Sequence, residues 1–246
     1  MPPESGGGII SPAARDVGVV IVAGGQGVRA GGEVPKQFRE IAGVPMLLRS
    51  LRPFTRHASV RHVVVVVPQQ EADAPPEWLA DLAGTNLTVT AGGPDRTDSA
   101  RRGLAALHPS CSVVLVHDGA RPLVGQPTID TVISLARQGI CAVPAVPVGD
   151  TLKETAADGS VLRVVRTIPR ARLWRAQTPQ AFPRPLLERA YAFAMSRESA
   201  GTDDAELVEA LGAEVRIVPD SMRNMKVTTA EDLEFIEGLL ARETAD

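Results

Sequence analysis

Five glycines and two cationic side chains follow an apolar, β-branched run near the start of the sequence. The run, Val17–Val22, has the composition of a buried strand. The glycines are Gly24, Gly25, Gly27, Gly31 and Gly32. Glycine lets the backbone adopt positive φ and lets a bulky ligand approach the amide groups, and Arg29 and Lys36 add positive charge. Free N–H groups and cations directly after a strand predict a polyphosphate site.

This loop differs from two other phosphate-binding loops of α/β proteins. No Gly-Lys-Ser/Thr sequence follows it, which excludes the common nucleotide-triphosphate loop. The segment Gly25-x-Gly27-x-x-Ala30 fits a loose dinucleotide fingerprint, but that fingerprint needs an immediate helix and an acidic residue after the next strand. Pro35 opposes the helix, and the next apolar run ends without the acidic residue. We therefore favour a polyphosphate loop over NAD binding or a plain surface turn.

Composition excludes several classes of protein. The chain has 246 residues, enough for one full core, and its formal net charge of −3 provides no global basic field for nucleic acid. No apolar run approaches the length that spans a membrane. Residues 1–16 lack the features of a signal peptide and are predicted to be a disordered tail. Cys111 and Cys141 lack metal-like spacing, which predicts reduced core residues in a cytoplasmic protein.

The elements that must position the loop alternate between strands and helices. This alternation predicts an α/β fold with a doubly wound, mostly parallel sheet in a single domain, residues 17–242. Ligands of such sheets bind beyond the carboxyl ends of the strands. The predicted strands are 17–22, 62–67, 87–91, 112–117, 140–146 and 215–219. The predicted helices are 45–57, 75–83, one that ends at 106, 128–138, 185–195, 203–211 and 229–241.

Two more polar segments follow predicted strands at this edge. A second glycine turn, from Gly92 to Ser99, precedes a helix, and helix capping alone could account for its polar residues. Asp118 ends the fourth strand, where a carboxylate is well placed to hold a metal ion or a ribose. His117 precedes it, but no serine or cysteine nucleophile motif accompanies this histidine, so we interpret His117 as structural.

The periodicity changes between Thr155 and Leu173. Valines alternate imperfectly with arginines around an Asp158-Gly159 turn, which indicates a β-hairpin. The segment has too few apolar residues to form a core alone, and a lone hairpin is marginally stable. We therefore expect residues 151–173 to form an arm that contacts a second copy of the chain, giving a homodimer.

Taken in order, the motifs resemble those of one enzyme family. Ala-Gly-Gly-x-Gly-x-Arg29 and Pro-Lys36-Gln after a strand are similar to the loop by which nucleotidyltransferases bind the triphosphate of an incoming nucleotide. The later motifs are Asp118-Gly-Ala-Arg121-Pro, Asp150-Thr-Leu-Lys, Leu-Trp174-x-x-Gln-Thr178-Pro-Gln, Thr202-Asp-Asp-Ala and Asn224-Met-Lys226-Val-Thr. The ordered set, which spans Val17 to Leu240, resembles the 2-C-methyl-D-erythritol 4-phosphate cytidylyltransferase family.

This resemblance implies a fold, an activity and partners. The fold would be the Rossmann-like nucleotidyltransferase fold with a protruding arm. The activity would transfer CMP from CTP to 2-C-methyl-D-erythritol 4-phosphate, giving 4-diphosphocytidyl-2-C-methyl-D-erythritol and pyrophosphate in the non-mevalonate route to isoprenoids. The implied cofactor is Mg²⁺ or another divalent cation. The implied partners are CTP, a polyol phosphate and a second subunit, with neither nucleic acid nor membrane.

The resemblance also implies roles for individual residues. The nucleotide would be bound by Ala23, Gly24, Gly25, Gly27, Arg29, Lys36, Gly92, Ser99, Asp118 and Gly119. The polyol phosphate would be bound by Asp118, Arg121, Thr151, Arg170, Thr178, Thr202 and Lys226. The catalytic residues would be Arg29, Lys36, Arg170 and Lys226. Asp118 would also hold the metal ion.

The sequence departs from the family pattern at four positions. Gly24, Ala30 and Gly119 replace alanine, methionine and alanine, which are small apolar changes beside the charged positions. Thr-Ile-Pro-Arg170 lacks the aspartate that often precedes this arginine, so Arg166 or Arg172 could take the role of Arg170.

Two alternatives to this function stay open at this point. The closest enzyme alternative is a ribitol 5-phosphate cytidylyltransferase, which shares most of these motifs. The other is a non-catalytic nucleotide-binding protein on the same fold. Such a protein would be expected to lose Lys36, Asp118 or Lys226, and this chain keeps all three.

Overall fold

The computed structural model describes residues 15–25, 36–84, 86–197 and 201–243. Most of the predicted tail and the centre of the glycine loop, including Gly27, Arg29 and Ala30, lie outside this range, and the side chain of Lys36 is not described. Arg15 and Asp16, which we assigned to the tail, bond to residues at the start of two central strands. The Arg15 guanidinium donates to the Val60 carbonyl at 3.1 Å, and the Asp16 carbonyl accepts from Ser112 N–H at 2.9 Å.

The strands of the described residues are as follows. They are β1 (Val17–Val22), β2 (Glu40–Ile41), β3 (Val44–Pro45), β4 (Val60–Val67), β5 (Leu87–Ala91), β6 (Val113–Asp118), β7 (Cys141–Pro147), β8 (Leu152–Asp158), β9 (Val161–Ile168), β10 (Trp174–Ala176), β11 (Gln180–Pro183) and β12 (Val215–Pro219).

The helices of the described residues lie between these strands, except the last, which follows β12. They are α1 (Met46–Thr55), α2 (Gln69–Asp73), α3 (Glu77–Ala80), α4 (Arg96–Ala106), α5 (Gln126–Arg137), α6 (Arg184–Ser196), α7 (Asp204–Glu209) and α8 (Ala230–Glu243), with short 3₁₀ helices at Lys36–Phe38 and Met222–Asn224. None of the described helices has the length and apolar character that crossing a lipid bilayer requires.

The central sheet is mixed and mostly parallel. Its order is β10-β7-β11-β6-β1-β4-β5, and β12 also pairs with β7. The strands β6, β1, β4 and β5 run parallel to one another, and β12 runs parallel to β7. The short strands β10 and β11 are antiparallel to their neighbours. The predicted fold class is therefore confirmed.

Helices cover both faces of the sheet. Successive side chains of a strand point to opposite sides, so apolar strands pack against helices on each face. Val19 and Ile21 of β1 join the apolar cluster that contains residues of α1 and α5, whereas Val20 joins the cluster with α4 and α6. Gly103 lets α4 approach the sheet closely, since a Cβ at this position would lie 2.4 Å from Val20 Cγ1. The valine-rich strands are buried on both sides, as expected for parallel strands between two helical layers.

The predicted elements match the observed ones except in the shortest segments. The strands at 17–22, 87–91 and 215–219 have the predicted bounds, α4 ends at the predicted residue 106, and the other predicted elements are shifted at one or both ends. Strands β10 and β11, helix α2 and the small β2–β3 hairpin were not predicted. The individual strands and α2 contain five residues or fewer, which is too short for a periodic pattern, and β10 and β11 pair with strands that are distant in sequence.

The predicted hairpin consists of β8 and β9, which form a separate two-stranded sheet. Leu152 pairs with Ile168 at its base and Asp158 with Val161 at its tip. Gly159 in the turn has φ of +60°, a conformation that glycine adopts without strain.

Candidate active site

Asp118 lies at the carboxyl end of β6, where three cationic side chains contact its carboxylate. Arg96 Nε lies 3.4 Å from Oδ1, Arg121 Nε lies 3.4 Å from Oδ2, and Lys226 Nζ lies 3.1 Å from Oδ2. Burial of the carboxyl group opposes its ionisation, but the charges of the three cations outweigh burial and hold the pKa of Asp118 well below its usual range. The side chain is therefore an anion at neutral pH.

Asn224 anchors the segment that carries Lys226. Its backbone carbonyl accepts from Arg121 Nη1 at 2.8 Å, and its side-chain amide donates to the Thr178 carbonyl at 2.8 Å. The N–H of Val227 donates to the Ala120 carbonyl at 2.8 Å. These bonds fix the loop before α8 against the loop after β6, and they bring Lys226 to Asp118.

His117 and Thr178 orient the backbone behind Asp118. His117 Nε2 lies 3.1 Å from the Arg121 carbonyl, which can only accept, so Nε2 carries the proton. Nδ1 therefore accepts from the Thr178 hydroxyl at 2.9 Å, and Thr178 Oγ1 accepts in turn from Asp118 N–H at 3.0 Å. Burial lowers the pKa of His117 to about 4, so the ring is neutral. Both ring nitrogens are engaged, which agrees with the structural role that we inferred for His117.

The two glycine turns meet at Ser99. Ser99 Oγ donates to the Asp95 carbonyl at 2.8 Å and accepts from Gly93 N–H at 3.0 Å. A Cβ at Gly92 would lie 2.8 Å from Ser99 Oγ, and one at Gly24 would lie 3.6 Å from the same atom. Gly24 and the turn from Gly92 to Ser99, which are distant in sequence, therefore lie together at the carboxyl edge of the sheet. Asp95 also caps α4, so the capping interpretation of this turn is confirmed as well.

Gly119 and Ala23 pack closely at the same edge. Gly119 N–H donates to the Val22 carbonyl at 2.9 Å. A Cβ at Gly119 would lie 3.0 Å from Leu47 Cδ1 and 3.1 Å from Ala23 Cβ. An alanine at this position would require a small shift of these neighbours, which gives a packing reason for the glycine in this chain.

Other predicted site residues lie elsewhere in the described structure. Arg170 is exposed and donates to the Gly149 carbonyl, and Thr151 is also exposed. The Thr202 hydroxyl donates to Glu206 at 2.8 Å at the start of α7. Within the part of the chain that the structure describes, none of these three residues has a recorded bond to the Asp118 carboxylate. Among the described residues, no atom lies within 4 Å of a Cβ placed at Gly25.

Sequence reasoning missed Arg96 and Asp204 as site residues. Arg96 Nη1 lies 2.8 Å from Asp204 Oδ2, so one guanidinium contacts two carboxylates. Burial would lower the pKa of Arg96, but Asp204 and Asp118 raise it above its ordinary value. Arg96 could have been identified from the sequence, because it is the positively charged residue of the second glycine turn. No sequence pattern identified Asp204 as a site residue, because helix capping alone explains a Thr-Asp-Asp sequence.

A mostly parallel sheet with glycines and a carboxylate surrounded by cations at its carboxyl edge is the arrangement of a nucleotide-binding α/β enzyme. The sequence model of the 2-C-methyl-D-erythritol 4-phosphate cytidylyltransferases matches residues 17–242. The chain belongs to this family.

Individual relatives agree with the family. The enzyme of this name from Frankia casuarinae is 45% identical over 227 residues, which cover 92% of this chain and 82% of that protein. The crystal structure of the Thermus thermophilus enzyme of this name has 33% identity and a TM-score of 0.74, covering 91% of this chain and 98% of that one. A 4-diphosphocytidyl-2C-methyl-D-erythritol synthase from Anaerococcus prevotii has 27% identity and a TM-score of 0.78, covering 92% and 96%.

Family membership establishes the activity. The chain is a CTP-dependent cytidylyltransferase that converts CTP and 2-C-methyl-D-erythritol 4-phosphate to 4-diphosphocytidyl-2-C-methyl-D-erythritol in isoprenoid precursor synthesis. Of the two alternatives left open by the sequence, neither the ribitol 5-phosphate enzyme nor the non-catalytic protein is supported by these relatives.

Proposed function

We propose that the carboxyl edge of the sheet binds CTP between the two glycine turns, with Asp118 directed at the ribose and the metal ion. The observation that carries the proposal is the contact of one buried carboxylate with Arg96, Arg121 and Lys226. Cations that face a shared anion are available to a more highly charged anion such as a triphosphate. Ala23, Gly24, Gly25 and Gly119 would line the approach to the phosphates, and Gly92 and Ser99 would contact the base.

The residues at this edge of the sheet fit a divalent cation whose ligands come partly from the protein and partly from the substrate. Among the described residues, no group of three or more His, Cys, Asp and Glu side chains forms a metal cage. Mg²⁺ commonly binds through one or two carboxylates together with substrate phosphates, so Asp118 alone is a sufficient protein ligand. When bound, the ion would neutralise charge on the phosphates.

The remaining chemistry needs charge stabilisation rather than a base. An oxygen of the polyol phosphate attacks the α-phosphorus of CTP, a new P–O bond forms, and the bond to the β-phosphate breaks to release pyrophosphate. The attacking oxygen is already anionic, so no proton has to be removed. Lys226 at the Asp118 carboxylate, with Arg29 and Lys36 from the glycine loop, would stabilise the transition state and the leaving group.

The polyol phosphate would be held partly by a second subunit. The β8–β9 hairpin exposes Val161, Leu162 and Val164, with 66%, 70% and 51% of their surface accessible, which favours burial against another chain. Arg170 and Thr151 at the base of this arm would then reach the partner's site. Arg166 forms an ion pair with Glu154, which favours Arg170 or Arg172 for the role. Arg121, Thr178 and Thr202 would complete this subsite.

A pyrophosphate-release assay tests the proposed site. We expect release with CTP, Mg²⁺ and 2-C-methyl-D-erythritol 4-phosphate, and much slower release with ATP or with ribitol 5-phosphate. Comparable turnover with ATP would contradict the proposed base contacts, and full activity in excess chelator would contradict the metal role. The homodimer, the single-domain organisation of 17–242 and the cytoplasmic location stay predictions.

A further inference from the structure

Asp204 is a buried carboxylate that neither helix capping nor the proposed nucleotide contacts explain. It is the first residue of α7, but Asp203 already caps this helix by accepting from Glu206 N–H at 2.9 Å. The Asp204 side chain is 1% exposed. A buried anion is costly unless a cation and hydrogen bonds compensate its charge, so its neighbours should reveal its role.

Tyr191 and Gln180 hold Asp204 in place. Tyr191 Oη donates to Asp204 Oδ1 at 2.7 Å, and the Tyr191 side chain is itself fully buried. Burial raises the pKa of Tyr191 well above its ordinary value, so the phenol keeps the proton that it donates. Gln180 Oε1 accepts from Ala205 N–H at 3.0 Å and fixes the start of α7 against β11. The Asp204 carboxylate therefore has a fixed position.

Arg96 is shared between two carboxylates at unequal distances. Its Nη1 lies 2.8 Å from Asp204 Oδ2, whereas its Nε lies 3.4 Å from Asp118 Oδ1. A guanidinium that faces a single carboxylate commonly forms two short, parallel hydrogen bonds with it. Arg96 does not form that paired arrangement with Asp118, and its shorter contact is with Asp204.

We propose that Asp204, supported by the Tyr191 hydroxyl, is a positioning residue that restrains Arg96 from pairing fully with the Asp118 carboxylate, so that the nucleotide and its metal ion can engage Asp118 more readily. The proposal rests on the role of Asp118 proposed above. Without a negative charge at Asp204, Arg96 pairs fully with Asp118. CTP and the ion then have to displace a stronger internal ion pair, so they bind more weakly.

A purely structural role makes a different prediction. If the contact between Arg96 and Asp204 only fastens α7 to α4, its loss lowers the free energy of unfolding but leaves the affinity of the folded protein for CTP unchanged. Nucleotide affinity, measured on folded protein, therefore separates the two roles.

The first experiment compares Asp204→Asn with Glu209→Gln. Both variants replace a carboxylate of α7 by its amide, but Glu209 is exposed at the far end of the helix. For Asp204→Asn we expect the Kd of CTP, measured by calorimetry with Mg²⁺, to rise about tenfold, and the KM of CTP to rise with it while kcat changes less than about threefold. Glu209→Gln should bind CTP as the wild type does.

Tyr191→Phe removes only the hydrogen bond behind Asp204. We expect a rise in the Kd of CTP of about two- to threefold, smaller than for Asp204→Asn but in the same direction. A folded Asp204→Asn protein that binds CTP with wild-type affinity would overturn the proposal.

The second experiment needs no substitution and decides the matter if Asp204→Asn fails to fold. Tyr191 is the one tyrosine of the chain, so incorporation of 3-fluorotyrosine gives a single ¹⁹F resonance beside Asp204. Saturation with CTP and Mg²⁺ is expected to shift this resonance, because Arg96 changes its contacts with Asp118. ATP at the same concentration should leave it in place. An unchanged resonance at saturating CTP would refute the positioning role.

Asp118→Asn distinguishes failure of this inference from failure of the proposed site. If this variant binds CTP and Mg²⁺ normally, the proposed role of Asp118 is wrong, and the proposed positioning role of Asp204 is then wrong as well. If Asp118→Asn loses binding while Asp204→Asn keeps it, only the positioning role is wrong.

Discussion

At the carboxyl end of β6 the polar side chains are buried and held by neighbours, whereas on the β8–β9 arm apolar side chains face solvent. Asp118 and His117 are 7% and 0% exposed and bond to residues of the same chain. Leu162 on the arm is 70% exposed. In the first region, the polar side chains are held by bonds within the same chain. The second has an apolar surface that its own chain leaves uncovered, which is the usual mark of an interaction surface.

The contrast also separates two kinds of cation. Lys226 Nζ contacts a buried carboxylate, while Lys153 Nζ on the arm donates to the Thr167 hydroxyl at an exposed position. A charge beside a buried anion acts in a low dielectric, whereas an exposed one is screened by solvent. Equal substitutions in the two regions should therefore have unequal effects.

The largest effect is expected from Lys226→Ala and Lys36→Ala. Each should lower kcat/KM by about two to four powers of ten, because each removes a charge that stabilises the transition state. Lys153→Ala is the matched control and should stay within about threefold of the wild type. Steady-state kinetics with CTP and the polyol phosphate measure all three. Near-wild-type rates for Lys226→Ala would contradict the claim that cations beside Asp118 contribute more to catalysis than cations on the arm.

A subunit-mixing test sharpens the comparison, because it asks whether the two regions meet across a dimer. Arg170→Ala and Lys226→Ala subunits should each be inactive alone. If Arg170 serves the partner's site, a mixed dimer contains one site with both residues intact. Random association would then restore about a quarter of the wild-type activity. Mixtures no more active than the parents, or a monomer at assay concentration, would count against a shared site.

These two regions also differed in how far the sequence could predict them. The valine runs, the second glycine turn and the place of Asp118 at the end of a strand were predictable, because each depends on local composition and on strand direction. The contact of Arg96 with Asp204 was not, because the two residues are far apart in sequence and either can be explained locally. The arm was predicted as a hairpin. The sequence pattern could not predict which of its side chains would face a second subunit, because a pattern within one chain carries no information on contacts between chains.

Acid stability tests the buried region through His117. Its pKa in the folded protein is about 4, below the ordinary value of 6.5, so the unfolded chain binds more protons between these pH values. Stability should therefore fall as the pH drops from 6.5 towards 4, by about 3 kcal/mol from this group. His117→Gln keeps a donor and an acceptor without titrating, so its stability should change less over this range. Urea unfolding at several pH values would show this, and equal pH slopes for the two proteins would contradict it.

Substitutions on the arm are expected to have the smallest effect on the stability of the folded monomer, and a core substitution serves for comparison. Leu115→Ala, in the core of β6, should lower the free energy of unfolding by about 2–5 kcal/mol, because it leaves a cavity among buried side chains. Leu162→Ala should change monomer stability by less than about 0.5 kcal/mol, since most of its surface is already in water.

The same Leu162→Ala substitution should nevertheless weaken the proposed dimer, because burying a leucine at an interface contributes about 1.5–3 kcal/mol. We expect the dissociation constant from sedimentation equilibrium to rise about tenfold or more. Leu82→Ala is the matched control: Leu82 is also exposed, at 39%, but lies outside the arm and should leave the dissociation constant unchanged. Equal dissociation constants for Leu162→Ala and the wild type would show that the apolar tip of the arm is a solvated surface.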